Sequence, residues 1–207
     1  MRRLSFFIGF FGLLACGDAN VQAQAQAQGQ QLDKTANTEQ NEASWTVNKA
    51  KSTLAFSGVL SGEAFTGSFA DFDTAINFDP DNLTAATVVV IIDMNSAETD
   101  DVESTNALPG KEWFNIRKFP VAKFEASRFK HLNGDKYEAH GNLSIRGITK
   151  SINLPFTLKI ENGYANMDAA LNLNRTTYKI GTGMWASKDW VEHVIAVRVH
   201  LEAQQNK

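Results

Sequence analysis

The chain has 207 residues, with 20 Lys and Arg against 23 Asp and Glu, and a formal net charge of −3 at pH 7. Without the basic start, Arg2 and Arg3, 18 basic residues remain (20 less 2) and the formal charge is −5, with no block of like charge. Nucleic acid and anionic membrane surfaces are therefore poor candidate partners. The length fits one β domain of moderate size.

The first sixteen residues have the form of a secretory signal. A basic pair precedes an apolar run over residues 4–15, which is too short to span a bilayer. The run ends in Leu13-Leu14-Ala15-Cys16, which resembles a bacterial lipobox, so we expect lipidation of Cys16 and a membrane anchor in the periplasm. Gly17 in place of Asp favours the outer membrane. The alternative is a soluble periplasmic or secreted protein that is cleaved within residues 23–27.

A polar segment follows the signal. Residues 17–44 are rich in Gln, Ala and Asn and contain no aromatic residue. Such a segment cannot bury a core, so we predict a disordered tether with a reach of roughly 30 Å. The folded domain is predicted over residues 45–203, with a short tail at 204–207.

Within the domain, apolar and polar residues alternate along most of the chain. In the segment 63–79 the apolar parity slips between Phe69 and Phe72, as a β-bulge in one long strand would require. One helix is predicted at 100–108, with Thr99 as its N-cap and Pro109-Gly110 at its end. The predicted strands cover 45–48, 52–59, 63–79, 86–94, 120–130, 136–147, 150–161, 164–174 and 192–203.

The last four strands predict how the sheet is organised. Each has one apolar and one polar face, and they follow one another without room for crossover helices, so they pair antiparallel. No helices are available to cover the apolar face. We therefore expect the sheet to close on itself and to enclose an interior.

The sequence shows no arrangement of residues that points to catalysis. The four histidines have no metal-binding spacing, and Gly181-Thr182-Gly183 lacks the Lys and the helix of a phosphate loop. No Gly-x-Ser-x-Gly elbow is present. We therefore predict no catalytic residue, no metal and no cofactor.

Five segments together resemble the YceI-like lipid/polyisoprenoid-binding family. The resemblance implies an all-β fold, an eight-stranded antiparallel lipocalin-like barrel with one short helix, and a secreted location. It also implies an interior pocket for a long isoprenoid or a similar amphiphile. Many members carry an Arg-Asp pair where this chain has Glu103-Ser104-Thr105-Asn106. The matching segments are FTGSFADF at 65–72, INFDP at 76–80, LPGKEWFNIRKFPVAKF at 108–124, GNLSIRGITK at 141–150 and LNRTTYKIGTGMW at 173–185.

Apolar parity predicts which side chains form the pocket wall. Phe114 is added from the aromatic segment beside the helix, where Trp113 is expected to plug the core instead. Gly67 serves either strand curvature or close approach of a ligand. The predicted wall residues are Leu54, Phe56, Phe69, Phe72, Ile76, Val88, Val90, Ile92, Phe114, Phe124, Leu143, Ile145, Leu154, Phe156, Leu158, Leu171 and Leu173.

Three further side chains are candidates for polar contacts to a ligand head group. They are Arg175, Tyr178 and Trp185, all in or near a turn-like segment, whereas Arg146 has outer-face parity.

The leading functional hypothesis is a non-catalytic carrier of an isoprenoid or quinone-like lipid. An interaction module of a membrane redox or stress system, with a filled barrel, is the second hypothesis, and an enzyme acting on a lipid is the third. Homodimerisation stays open. An empty cavity favours the carrier, and large inward Phe side chains at one level favour the filled barrel.

Overall fold

Eleven strands form one antiparallel sheet in the part of the chain that the computed structural model describes, residues 44–207. The predicted signal, the lipidation of Cys16 and all but the last residue of the predicted tether lie outside the described residues. The strands are β1 (Trp45–Val47), β2 (Thr53–Leu60), β3 (Glu63–Phe69), β4 (Phe72–Asn77), β5 (Thr87–Asp93), β6 (Ala97–Thr99), β7 (Val121–Asn133), β8 (Lys136–Ile145), β9 (Ile148–Glu161), β10 (Tyr164–Asn174) and β11 (Val194–Gln205).

The sheet closes because β1 pairs with strands on both sides of it. Trp45 is the register partner of Ile76 in β4 and of Gln205 in β11. β1 and β2 run in the same direction and both pair with β11, so together they count as one interrupted strand of the barrel. β3 and β4 likewise form one strand that is interrupted at residues 70–71. With β5, β7, β8, β9, β10 and β11, this makes the eight-stranded antiparallel barrel that was predicted.

The interruption between β3 and β4 differs from the prediction. One long strand with a bulge over 63–79 is wrong, because the chain leaves the ladder at Ala70 and Asp71. Ser96 fills the gap: its carbonyl accepts from the Ala70 amide at 3.1 Å, and its hydroxyl accepts from the Asp71 amide at 3.0 Å. The short strand β6, which the sequence did not predict, then pairs with β3.

The α-helix is shorter than predicted. α1 spans Val102–Ala107, and Asp101 rather than Thr99 is its N-cap, with a carboxylate that accepts from the Ser104 amide at 2.7 Å. This hydrogen bond lowers the pKa of Asp101. Thr99 instead donates its hydroxyl to the Asp101 carbonyl and ends β6. Four 3-10 helices complete the elements, at Lys49–Lys51, Met94–Ser96, Arg175–Tyr178 and Gly183–Ala186. None of the helices in residues 44–207 is long and apolar enough to cross a membrane.

Opposite ends of the barrel are closed by different means. At the first end, which we call the aromatic end, the Phe78 ring packs on Phe129, Tyr137 and Phe156, with centroids 5.3, 5.8 and 6.1 Å away. The indole of Trp45 donates to the Phe78 carbonyl at 2.8 Å. The rings of Phe78, Phe129, Tyr137 and Phe156 come from four separate parts of the chain and pack around Phe78, so they fill the barrel at one level.

The other end, which we call the loop end, is covered by the segments 100–120 and 175–193. Leu108 and Phe114 are buried there against β5 to β7. Arg146, in the two-residue turn between β8 and β9, donates to the carbonyls of Lys179 and Lys111 and joins both segments to the barrel. Arg146 and Gly147 both have positive φ, as a type I′ hairpin turn requires.

Candidate ligand-binding cavity

An apolar cavity of about 280 Å³ lies between the two ends. Its volume is near the lower limit of ligand pockets, which hold about 300–1,000 Å³. Inward side chains from most of the strands and from both covering segments form the wall. Side chains therefore fill the barrel at the aromatic end only, and the rest of its interior contains the cavity.

The structure places all seventeen predicted wall residues around this cavity. Period two explains the strand residues, because alternate side chains of a closed sheet must share its interior. Phe114 reaches the cavity from the loop end, where it is 7% exposed and packs on Phe69 with centroids 5.9 Å apart. Whether these residues contact a ligand stays a prediction.

The sequence prediction left out several wall residues. The inward residues of β11 show the same alternation as the other strands and could have been included on parity alone. Trp113, expected to plug the core, also lines the cavity. Ile180 and Val191 come from an irregular segment without any periodic signal. The inward residues of β11 that line the cavity are Ile195, Val197, Val199 and Leu201.

Arg175 has a structural role that the sequence did not reveal. Its side chain is 3% exposed, and each of its five N–H groups has a backbone carbonyl to bond. Nε donates to Glu192 at 3.0 Å. The other four bonds, between 2.6 and 3.1 Å long, go to the carbonyls of Ile180, Gly181, Trp185 and Val191. Burial lowers the pKa of Arg175. No N–H remains for a head group, which argues against the predicted contact.

Gly181 makes room for this guanidinium. It has φ of +71°, and a Cβ there would collide with Nη1 of Arg175. The segment 175–193 is therefore wrapped around one buried cation, with the carbonyl dipoles directed at its charge.

The other two candidates for head-group contacts are placed differently from each other. Tyr178 is 2% exposed and lines the cavity. The side chain of Trp185 is not part of the cavity wall; it packs on Trp113 and Trp190, with centroids 5.7 and 6.4 Å away. A contact between Trp185 and a ligand inside the barrel would therefore need a rearrangement of the loop end.

Gly67 is needed for packing inside the protein. A Cβ at Gly67 would collide with the Phe56 ring, and it would lie 2.5 Å from the Glu98 carbonyl oxygen. The ring that covers Gly67 is itself part of the cavity wall. Of the two expected roles, close approach by a ligand is therefore not what the glycine provides here.

A family model for the YceI-like domain matches residues 45–203. The chain belongs to the YceI-like family. A UPF0312 protein of Yersinia pestis (strain Pestoides F) is 36% identical over 137 residues, which are 63% of this chain and 71% of that protein. BcnA of Burkholderia cenocepacia has a TM-score of 0.74 and 26% identity, covering 77% of this chain and 100% of the BcnA chain.

The YceI-like barrel is shared at lower identity as well. A polyisoprenoid binding domain from Saccharophagus degradans, implicated in plant cell wall breakdown, has a TM-score of 0.65 at 13% identity. The match covers 80% of this chain and 100% of that domain. These comparisons confirm the resemblance that the five sequence segments indicated, and with it the barrel fold.

Charged groups of this YceI-like barrel lie almost wholly outside the cavity. Ion pairs such as Lys51–Glu202, at 3.0 Å, lie on the surface. Among the described residues the cavity wall contains no carboxylate, imidazole or thiol, and Arg175 is its one charged side chain. The residues described contain no cluster of His, Cys, Asp and Glu that could hold a metal ion.

Proposed function

We propose that this protein binds a long-chain isoprenoid or a similar amphiphilic lipid inside the barrel, as a non-catalytic carrier or sequestering protein. The observation that supports this most strongly is the apolar cavity of about 280 Å³ between two closed ends. A packed domain excludes voids larger than a water molecule, so an apolar space of this size calls for an apolar occupant. The family membership and the polyisoprenoid binding domain of the same fold support the choice of ligand class.

The energetics permit tight binding of a short chain. Burial of each CH₂ group contributes about 0.8 kcal/mol, so a fifteen-carbon chain gains about 12 kcal/mol. Association and ordering cost on the order of 4–15 kcal/mol. A ligand longer than the cavity would have to displace side chains at one end.

The filled barrel is the second candidate function, favoured by the aromatic end. There the rings of Phe78, Phe129, Tyr137 and Phe156 do pack at one level. They close that end, but they do not fill the cavity beside them. The carrier is therefore the better-supported proposal, and an interaction module without ligand is the outcome to be tested against it.

The proposed site of action is the periplasm, with a lipid anchor at Cys16 in the outer membrane. This part of the proposal rests on residues 1–17 of the sequence alone. A carrier tethered to a membrane surface would meet lipids released from that membrane at short range.

Mass spectrometry of organic extracts tests the carrier. Protein purified from its native host should yield a lipid with a long apolar chain. Ile145→Trp, which fills space in the wall and stays apolar, should lose this lipid while folding normally. Asn153→Trp, on the exposed face of β9, is the matched control and should retain it. Leu171→Phe, a smaller change on the same wall, serves if Ile145→Trp does not fold.

Two results would contradict the proposal. A native protein without extractable lipid, and without uptake of added isoprenoid, would leave the filled interaction module. A folded Ile145→Trp variant that binds with native affinity would place the ligand elsewhere.

A further inference from the structure

Polar side chains are rare in the wall of the cavity. Apart from the indoles of Trp45 and Trp113, they are Thr74, Arg175 and Tyr178. Trp45 donates to the Phe78 carbonyl, and Trp113 lies at the loop end against Trp185. A ligand with a polar atom inside the barrel can therefore find a hydrogen-bond partner at very few positions.

Arg175 is not one of these partners, because all of its N–H groups bond to carbonyls of the segment 180–192. The only cation of the wall is thus already surrounded by negative ends of dipoles. An anionic head group drawn into the cavity would lose its hydration without gaining a counter-ion, which disfavours its binding.

Tyr178 has a free hydroxyl. The residue is 2% exposed, and its side chain makes no hydrogen bond in the part of the chain that the structure describes. The hydroxyl is not among the fully enclosed unpaired side-chain atoms of residues 44–207, so it keeps some accessible surface. The residue lines the cavity and packs in one cluster with Phe124 and Leu143, within the wall. Because the hydroxyl is unpaired, an acceptor inside the cavity would give it a hydrogen bond that the ligand-free protein lacks.

We propose that the Tyr178 hydroxyl donates a hydrogen bond to a neutral oxygen of the bound ligand, and so selects apolar chains that carry a hydroxyl, ether or carbonyl oxygen over chains with a charged end. This inference rests on the proposed carrier function and names the polar part of its ligand. Burial raises the pKa of the Tyr178 hydroxyl, so the group stays protonated at physiological pH and acts as a donor.

Thr74 is the other free hydroxyl of the wall and the natural comparison. It is the register partner of Val90, which packs against the cluster that contains Tyr178. Thr74 also lines the cavity. A threonine hydroxyl in a strand can turn to a nearby carbonyl when no ligand is present, whereas the rigid phenol of Tyr178 cannot. We therefore expect the ligand oxygen to accept its hydrogen bond from Tyr178 and not from Thr74.

The test compares farnesol, farnesene and farnesyl phosphate, which share one chain and differ in the end group. Binding to delipidated protein is followed by tryptophan fluorescence. The wild type should bind farnesol and farnesene, and should bind farnesyl phosphate at least tenfold more weakly than farnesol. Tyr178→Phe should weaken farnesol about fivefold, the worth of one neutral hydrogen bond, and leave farnesene unchanged. Thr74→Val removes the other wall hydroxyl and should keep the wild-type ratio of farnesol affinity to farnesene affinity. Asn153→Ala, on the exposed face of β9, is the control that should bind all three as the wild type does.

A stability measurement separates ligand binding from a structural role. Because Tyr178→Phe removes an unpaired hydroxyl and keeps the ring, its ligand-free form should unfold at the same temperature as the wild type or higher. A lowered unfolding temperature would indicate that the hydroxyl supports the fold instead.

The remaining outcomes are distinct. Three results would overturn the role of Tyr178 and leave the carrier function intact. Tyr178→Phe could lose affinity for farnesol and farnesene equally, or lose affinity for neither. Thr74→Val could instead be the variant that loses affinity for farnesol. A wild type that takes up neither farnesol nor farnesene would remove the carrier function itself.

Discussion

At the scale of single residues, Arg175 organises one of the two long connections of the barrel, the segment 175–193. The 3-10 helix Arg175–Tyr178 begins where β10 ends, so the guanidinium is held at the wall while its five carbonyl partners come from residues 180–192. Arg suits this position because its planar group offers five donors in a fixed geometry. The same short helix places Tyr178 in the cavity wall. The position of Tyr178 therefore depends on the hydrogen bonds that hold Arg175.

Gly181→Ala should be strongly destabilising. The positive φ costs an L-residue about 1–2 kcal/mol, and the new methyl group would displace the Arg175 guanidinium and break some of its bonds. We expect a total loss of about 3 kcal/mol or more, measured as the shift in the urea unfolding midpoint.

Gly163→Ala is the matched control for Gly181→Ala. Gly163 has φ of +78° in the β9–β10 turn, and nothing lies within 4 Å of the added Cβ. Only the conformational cost remains there, about 1 kcal/mol. Equal losses at the two glycines would mean that the contact with Arg175 has no importance for stability.

At the scale of the element, β9 shows how one strand serves the cavity and the surface at once. Its inward residues are half-buried and its outward residues are exposed, in strict alternation from Ile152 to Leu158. Phe156 stacks on Tyr137 with centroids 5.4 Å apart and planes at 20°. Pairing with β10 ends at Phe156 and Ala169, next to Pro155, which has no N–H for a further ladder bond.

Phe156→Asp should unfold the domain or abolish retention of a lipid. The change removes a ring that packs on two others at the aromatic end and places a carboxylate in an apolar interior, which together cost at least about 3–5 kcal/mol. Thermal unfolding and the lipid content of the purified variant measure the two effects.

Thr157→Asp is the neighbouring control on the outer face of the same strand. Its register partners are Asp168 on one side and Lys136 on the other, so the new charge is repelled by one and attracted by the other. The free energy of unfolding should change by less than about 1 kcal/mol, and lipid retention should stay native. A large loss in this variant would show that the outer face of β9 has a role which parity does not indicate.

At the scale of the whole molecule, the two ends of the barrel are built differently. Aromatic side chains close one end, and two long segments cover the other. The covering segments carry Tyr178 and Trp113 into the wall. Ligand specificity is therefore expected to depend on the loop end, whereas the aromatic end should govern stability.

The proposed location of the carrier depends on the N-terminal residues of the sequence. Cys16→Ser should abolish labelling by a fatty-acid probe and release the protein from the membrane fraction, because the serine hydroxyl cannot replace the lipidated thiol. Gly17→Asp is the companion variant: labelling should persist while the protein moves to the inner membrane. If the wild type takes up no fatty-acid probe, the lipid anchor is excluded and the alternative of a soluble periplasmic or secreted protein is favoured.

Much of the architecture could be predicted from the sequence, because its signals are local. Alternation with period two located the strands of the barrel and assigned sixteen of the seventeen predicted wall residues to one interior, since parity depends only on neighbouring residues. Parity also made Thr157 an outward residue. Boundaries were less predictable: the break at Ala70 and Asp71 depends on Ser96, which lies 25 residues away from Asp71 in the chain.

The sequence by itself thus determined the closed antiparallel barrel, its apolar interior and the family to which the chain belongs. Only the tertiary structure decided that Arg175 is saturated by carbonyls, that Trp185 lies outside the wall and that Tyr178 lines the cavity without a hydrogen bond from its side chain. The physical reason is that hydrogen-bond saturation depends on which distant backbone groups converge on a side chain. In the irregular segment 175–193 no periodic pattern records that convergence.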